Sequence, residues 1–154
     1  YGEVWTRLSE YFRTCMQRIG VEVTMETTDA GGRAARMASL EFDTSVNFVY
    51  QVADPALAVE HYYLSTNIKH VTFTNVGGYS NPKVDALFDA GAGTIDPAKR
   101  QEAYSEVQQI LTDEVPNAWL LDLGMPTISR CNVKDLITTG IGLNDGFKNA
   151  YIEK

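Results

Sequence analysis

Histidine, cysteine and proline are scarce in this 154-residue sequence, and each scarcity removes a class of chemistry. His61 and His70 are the only histidines, with no HExxH or comparable spacing, so a histidine-built metal or acid–base centre lacks its parts. Cys15 and Cys131 are the only cysteines, and they form no CxxC pair. They read as two buried apolar thiols, or as one long-loop disulfide in an oxidising compartment. As a nucleophile, Cys15 would sit in mid-helix on an apolar face, where packing is the simpler role. Apolar runs are short, and none reaches the roughly 18–20 residues of a membrane-spanning helix. Basic residues are few: 13 Lys and Arg stand against 20 Asp and Glu, a net charge of −7. Residues 1–40 balance five Arg against five acids, so residues 41–154 hold the whole deficit. Phosphate backbones are bound by clustered Lys and Arg, and nucleic acid is therefore excluded as the expected partner.

Glycine loops of the phosphate-cradling kind are missing too. Gly31-Gly32, Gly91-Ala92-Gly93 and Gly140-Ile141-Gly142 lack the further glycine or the Lys-Ser/Thr that such loops require. No GxSxG elbow occurs. Asp85 and Asp89 form an i,i+4 pair, either a cation site or, more simply, a solvated helix face. Nothing assembles into a reactive centre, so the expectation is a protein that is not an enzyme and uses no metal or cofactor. The chain opens on Tyr1-Gly2-Glu3-Val4-Trp5 without an initiator Met or signal peptide, which reads as a cut end of something larger.

What is present is a layered alternation of helix and strand patterns. Val4, Leu8, Tyr11 or Phe12, Cys15 and Ile19 recur at three- and four-residue steps, an amphipathic helix closed by Gly20. Val21, Val23 and Met25 then alternate with polar residues, as a half-buried strand does. Asp29 caps a short helix through Leu40, weakened at its start by Gly31-Gly32. Val46, Phe48, Val49 and Tyr50 suit an interior strand that Asp54-Pro55 terminates. A long connection follows, with a helical turn around residues 58–64. Asn81-Pro82 and Asp96-Pro97 each place a capping side chain before a proline at the first helical position. Residues 118–123 and 127–133 read as two more strands, and Tyr151-Ile152 as a last apolar beat. The expected fold class is α/β, a mixed sheet with flanking helices in one domain over residues 1–154.

A family resemblance rests on specific residues. The run Gly78-Tyr79-Ser80-Asn81-Pro82-Lys83-Val84-Asp85-Ala86-Leu87-Phe88-Asp89 is continued by Asp96-Pro97-Ala98-Lys99-Arg100, Tyr104, Gln108-Gln109-Ile110-Leu111 and Asp113-Glu114-Val115-Pro116. Ile19-Gly20-Val21-Glu22-Val23, Phe42-Asp43, Asp54-Pro55, Arg130 with Val133, and Tyr151-Ile152 follow the same order. Together they resemble the carboxy-terminal part of the extracytoplasmic solute-binding proteins of ABC importers, in the peptide/nickel-binding (dipeptide and oligopeptide) family. The resemblance implies one lobe of a two-lobed, type II-like periplasmic-binding fold, with residues from about 134 to 154 returning toward a first lobe. It implies a periplasmic or membrane-tethered extracytoplasmic location, capture of a peptide or similar small solute by lobe closure, and delivery to ABC permease membrane subunits.

The expected ligand rim is the segment that follows the most buried-looking strand. Tyr50 offers an aromatic face and a hydroxyl, Gln51 an amide, and Asp54 a charge; Asn75 and Tyr79 stand on the opposite connection. Family members that hold a peptide's α-amino group use an aspartate shortly before this proline, whereas the aligned residue here is Gln51. No acid occurs between Thr44 and Ala53. A neutral amide cannot supply the ion-assisted hydrogen bond to an ammonium group, so a neutral, sugar-like or modified ligand gains ground. The alternative reading is a protein-interaction or oligomerisation module, pairing through an exposed lobe face or an exchanged tail from about Ile137.

Overall fold

Two of the three Asx-Pro steps, Asn81-Pro82 and Asp96-Pro97, open the helices that build most of the core. In the computed structural model, which describes residues 2–50, 54–69, 71–124, 126–142 and 146–153, four helices account for most of the regular structure. They are α1 (Gly2–Arg18), α2 (Ala30–Ser39), α3 (Pro82–Ala92) and α4 (Pro97–Glu114). Asn81 caps α3 by accepting from the Lys83 and Val84 N–H groups, and Asp96 caps α4 by accepting from Ala98 and Lys99. In both helices proline occupies a first-turn position whose N–H has no intrahelical acceptor. Asp29 caps α2 through the Gly32 N–H at 2.7 Å. The three capping side chains are those expected from sequence.

α3 and α4 pack together through Val84 and Phe88 of the first and Ala103 and Val107 of the second, all buried. Phe88 also lies parallel to Tyr63, with ring centroids 6.4 Å apart and an interplanar angle of 13°. Tyr63 comes from a run of three short 3₁₀ turns, Pro55–Leu57, Val59–Tyr62 and Ser65–Asn67, which fill the connection where one helical turn was expected. Asp85 belongs to this packing. Its carboxylate accepts from the Ser65 N–H at 2.9 Å and the Ser65 hydroxyl at 2.5 Å, tying the third turn to α3. The i,i+4 acidic pair is thus half a solvated face and half a tether.

Among the described residues the expected mixed sheet is met only by a two-residue antiparallel ladder, β1 (Val133–Lys134) with β2 (Tyr151–Ile152). Its register pairs Val133 with Ile152 and Lys134 with Tyr151, and a Lys134–Glu153 ion pair at 3.0 Å flanks it. Residues 21–26, 46–50 and 118–123 lie outside any ladder, as does 127–132. A helix closes its hydrogen bonds within itself, whereas a strand needs a neighbour, and these segments find none among the described residues. α1 shows the same asymmetry: it forms, yet it buries no residue, and Val4, Tyr11 and Ile19 remain exposed. Trp5 of α1 meets Phe48 at 5.9 Å between centroids. The cysteines do not pair, and neither is buried: Cys15 is intermediate and Cys131 exposed. The uncovered α1 stripe and the turn before β1 account for both.

α4 comes close to α3 at Gly91. A Cβ added there would lie 2.6 Å from Tyr104 Cζ, and the Tyr104 ring has little room to retreat between Phe88 at 6.2 Å and the Arg100 guanidinium at 5.3 Å. Gly91→Ala is expected to destabilise the protein by about 1–3 kcal/mol in chemical denaturation, despite alanine's better helix propensity.

Candidate functional site

Of the five rim residues expected from sequence, the structure brings Asn75 and Tyr79 into one cluster. It fastens Asp54 to the helix pair and places Tyr50 apart from both. Gln51 and His70 lie outside the described residues.

Asn75 is almost completely buried, at 1% exposure, and its amide is fully engaged. Its Nδ2 donates to the carbonyls of Tyr63 at 3.3 Å, Leu64 at 3.1 Å and Tyr79 at 2.7 Å, while its Oδ1 accepts from the Tyr79 N–H at 3.1 Å. Buried polar groups hold their place by such complete pairing. Asn75 therefore clamps the 3₁₀-turn region to the loop that leads into α3. Asn67 repeats the device, donating to the His61 carbonyl at 2.7 Å. Sequence reading took Asn75 as a rim polar group; its burial could be read only from the fold.

Tyr79 packs edge-on against Tyr63, with centroids 6.2 Å apart at 87°. Its hydroxyl donates to Glu114 Oε2 at 2.5 Å, and Asn81 Nδ2 donates to Glu114 Oε1 at 2.9 Å. Glu114 thus ties the end of α4 to the start of α3. Desolvation, then the hydrogen bond to the Glu114 carboxylate, pushes the Tyr79 phenol up to about 12. α4 ends at Val115, whose φ of 47° gives the left-handed cap that glycine usually provides. Pro116 follows and forbids continuation.

Asp54 does two jobs. It caps the first 3₁₀ turn by accepting from the Ala56 N–H at 2.9 Å, and it meets Arg100. Arg100 Nη2 lies 2.8 Å from each Asp54 carboxylate oxygen, Arg100 Nη1 donates to the Gly91 carbonyl at 2.8 Å, and the guanidinium covers the Tyr104 ring. Arg100 belongs to the motif block, and nothing in the spacing pairs it with a residue 46 positions earlier. Tyr50 is half-exposed and sits edge-on to Phe48, with centroids 5.4 Å apart at 88°.

An open groove of about 680 Å³ runs beside this assembly, lined by Pro55, Val59, Tyr63, Phe88, Tyr104 and Trp119 among others. Its inner wall is the core itself. Asn117, Ala118 and Trp119 also line it. Burial raises the Tyr63 hydroxyl, with Asn117 and Trp119 acting in the opposite direction. A smaller cleft of about 200 Å³ lies between α2 and the loop at Thr72 and Phe73. No group of three or more His, Cys, Asp and Glu side chains is placed to hold a metal among the described residues.

The sequence is similar to a periplasmic-binding protein of an ABC transporter. That relative is the probable ABC transporter periplasmic-binding protein SapA of Escherichia coli (strain K12), 25% identical over 155 residues. The match takes in 96% of this chain and 27% of SapA, so the chain spans about a quarter of its relative's length. No protein-family model matches the chain, and no solved structure does. No helix among the described residues is long and apolar enough to cross a membrane.

Two measurements probe the clamp. Asn75→Ala leaves three carbonyls and one N–H of the turn region without their partner and is expected to cost about 1–3 kcal/mol in denaturant titration. The raised Tyr79 phenol holds its proton in the folded state after the unfolded chain has lost it. Its stabilisation is therefore complete below about pH 10 and falls as pH rises toward about 12. Thermal melts across that interval should lose less stability in Tyr79→Phe than in the wild type.

Proposed function

We propose that this chain is part of the solute-binding protein of an ABC importer. It would contribute most of one lobe of a two-lobed extracytoplasmic trap that closes on a peptide or similar small solute and presents it to permease membrane subunits. The observation that carries the reading is the similarity to SapA along 96% of the chain, joined to the motif block at residues 78–116. That block contains the caps of α3 and α4, together with Arg100 and Glu114, which tie the helix pair to its surroundings. Capture by closure needs no reactive dyad, only side chains displayed on a firm support. In this reading Tyr50 and Gln51 touch the solute directly. Asp54, Asn75 and Tyr79 hold the surrounding loops at the rim.

A second reading is favoured by a different observation. Trp119, Leu120, Leu121, Leu123 and Ile128 are all exposed on segments without a ladder partner. That apolar edge suits a module that associates with another chain. Light scattering across concentration separates the two, because a strictly monomeric chain removes the association reading.

Calorimetry tests the transport reading. Protein expressed from its complete reading frame is expected to bind a small solute, whereas the 154 residues alone bind at millimolar strength or weaker. A micromolar complex is worth about −8 kcal/mol, and half of those contacts supply only about −4 kcal/mol. Micromolar binding by this chain alone would overturn the division between lobes.

A further inference from the structure

The groove of about 680 Å³ beside the helix pair has a fixed floor and an uncharged lining. Tyr63, Phe88 and Val107 form that floor, and all three are almost completely buried in the core. Their packing is complete without a ligand, so the shape is preformed. Four aromatic side chains border the space: Tyr63, Phe88, Tyr104 and Trp119. Phe88 stacks on Tyr63 and tilts against Tyr104, while Trp119 remains 58% exposed. The groove also adjoins the expected ligand rim, because Pro55, next to Asp54, is part of its wall.

The sequence carries a net charge of −7, yet no described residue that lines the groove is charged. Most acids one position from a lining residue are engaged elsewhere. Asp54 pairs with Arg100 and Glu106 with Lys83; Asp113 accepts from Gln109, and Glu114 accepts from Tyr79 and Asn81. Glu60 and Asp89 have no such partner among the described residues, and neither lines the groove. Glu60 acts on the Tyr104 hydroxyl from outside the lining, so an anion placed in the groove is repelled. A cation would shed its water and find no carboxylate in the wall to replace it. Among the polar lining groups, Asn117 and Trp119 hydrogen-bond the Tyr63 hydroxyl, and the Thr112 hydroxyl donates to the Gln108 carbonyl at 2.7 Å. The exposed side-chain amide of Gln108 makes no hydrogen bond to another described residue, which leaves a donor and an acceptor at the groove.

We propose that this groove is the subsite for a neutral aromatic side chain of a peptide solute, its ring among the four aromatic residues and its flanking amides at Gln108. Resting on the solute-binding reading above, this narrows the solute to a peptide that carries an aromatic residue. The size fits: an apolar cavity of about 150 Å³ takes a benzene ring. A space of about 680 Å³ has room for such a ring together with the amides on either side of it.

The test titrates N-acetyl-phenylalaninamide calorimetrically into protein expressed from its complete reading frame. Three relatives of that probe serve as comparisons: N-acetyl-alaninamide lacks the ring, phenylalaninamide adds a cation, and N-acetylphenylalanine adds an anion. The neutral aromatic amide is expected to bind at least tenfold more tightly than each of them. Trp119→Ala removes one ring, and Thr112→Trp fills the groove from an exposed position on α4; each is expected to weaken binding tenfold or more. The two changes are opposite in kind, so a folding defect in one leaves the other to decide. Leu121→Ala, exposed but outside the lining, is expected to keep the wild-type affinity, and an equal loss there overturns the proposal. So does a ringless or charged probe that binds as tightly as the neutral one, or wild-type affinity in both groove variants. A tenfold preference for p-cresol, a ring without amides, makes the groove a site for free aromatic molecules and overturns the peptide assignment. Light scattering that shows a dimer dissolved by Trp119→Ala puts a second copy in the groove and overturns it too. In every one of these cases a mixed peptide pool that still binds leaves the transport reading standing. A complete protein that binds neither the probes nor the pool removes that reading, and this proposal with it.

Discussion

The contact between α3 and α4 is the constraint on which the other ordered features lean. Phe88 and Val84 cluster with Val107 of α4, and the Tyr63 ring lies over Phe88 from the turn region. The 3₁₀ turns have no regular partner of their own. They keep their shape because Asp85, Asn75 and Asp54 bind their backbone to the helix pair or to the loop that enters it. Dispersion and apolar burial hold the centre; polar side chains carry that order outward along irregular backbone.

The polar tethers share a pattern. Asn75, Asp85 and Asp54 each use a side chain to satisfy backbone or charge that secondary structure leaves open. The arrangement gives a loop-rich surface a definite shape without a sheet beneath it. The side chains that order a loop end are also the ones nearest to whatever the loop displays.

Legibility from sequence followed the range of the interactions. Caps and helix stripes are written in neighbouring residues, so Asp29, Asn81 and Asp96 were readable in place, as were Val84, Phe88 and Val107. Strands depend on partners elsewhere in the chain. The alternation at Val21, Val23 and Met25 describes a segment able to enter a sheet, and it says nothing of whether a neighbour is present. The rim residues divide in the same way. The extended backbone before Pro55 follows from the proline ring, but the Asp54–Arg100 pair joins residues that no local pattern connects. Asn75 looked like a displayed amide because polarity is visible in a sequence and burial is not. Glu114 gave no signal beyond its place in the motif block, since its partners Tyr79 and Asn81 lie more than 30 positions earlier.

The uncovered stretch at residues 118–123 bears on how the chain fares before anything meets it. Ala118, Trp119, Leu120, Leu121 and Leu123 surround a single charge, Asp122, with no proline among them. A short, apolar, weakly charged extended segment is the kind from which intermolecular cross-β stacks nucleate and to which holdase chaperones attach. Asp122 is the one charge within it, and desolvating its carboxylate is a cost that any zipping together of two such edges has to meet.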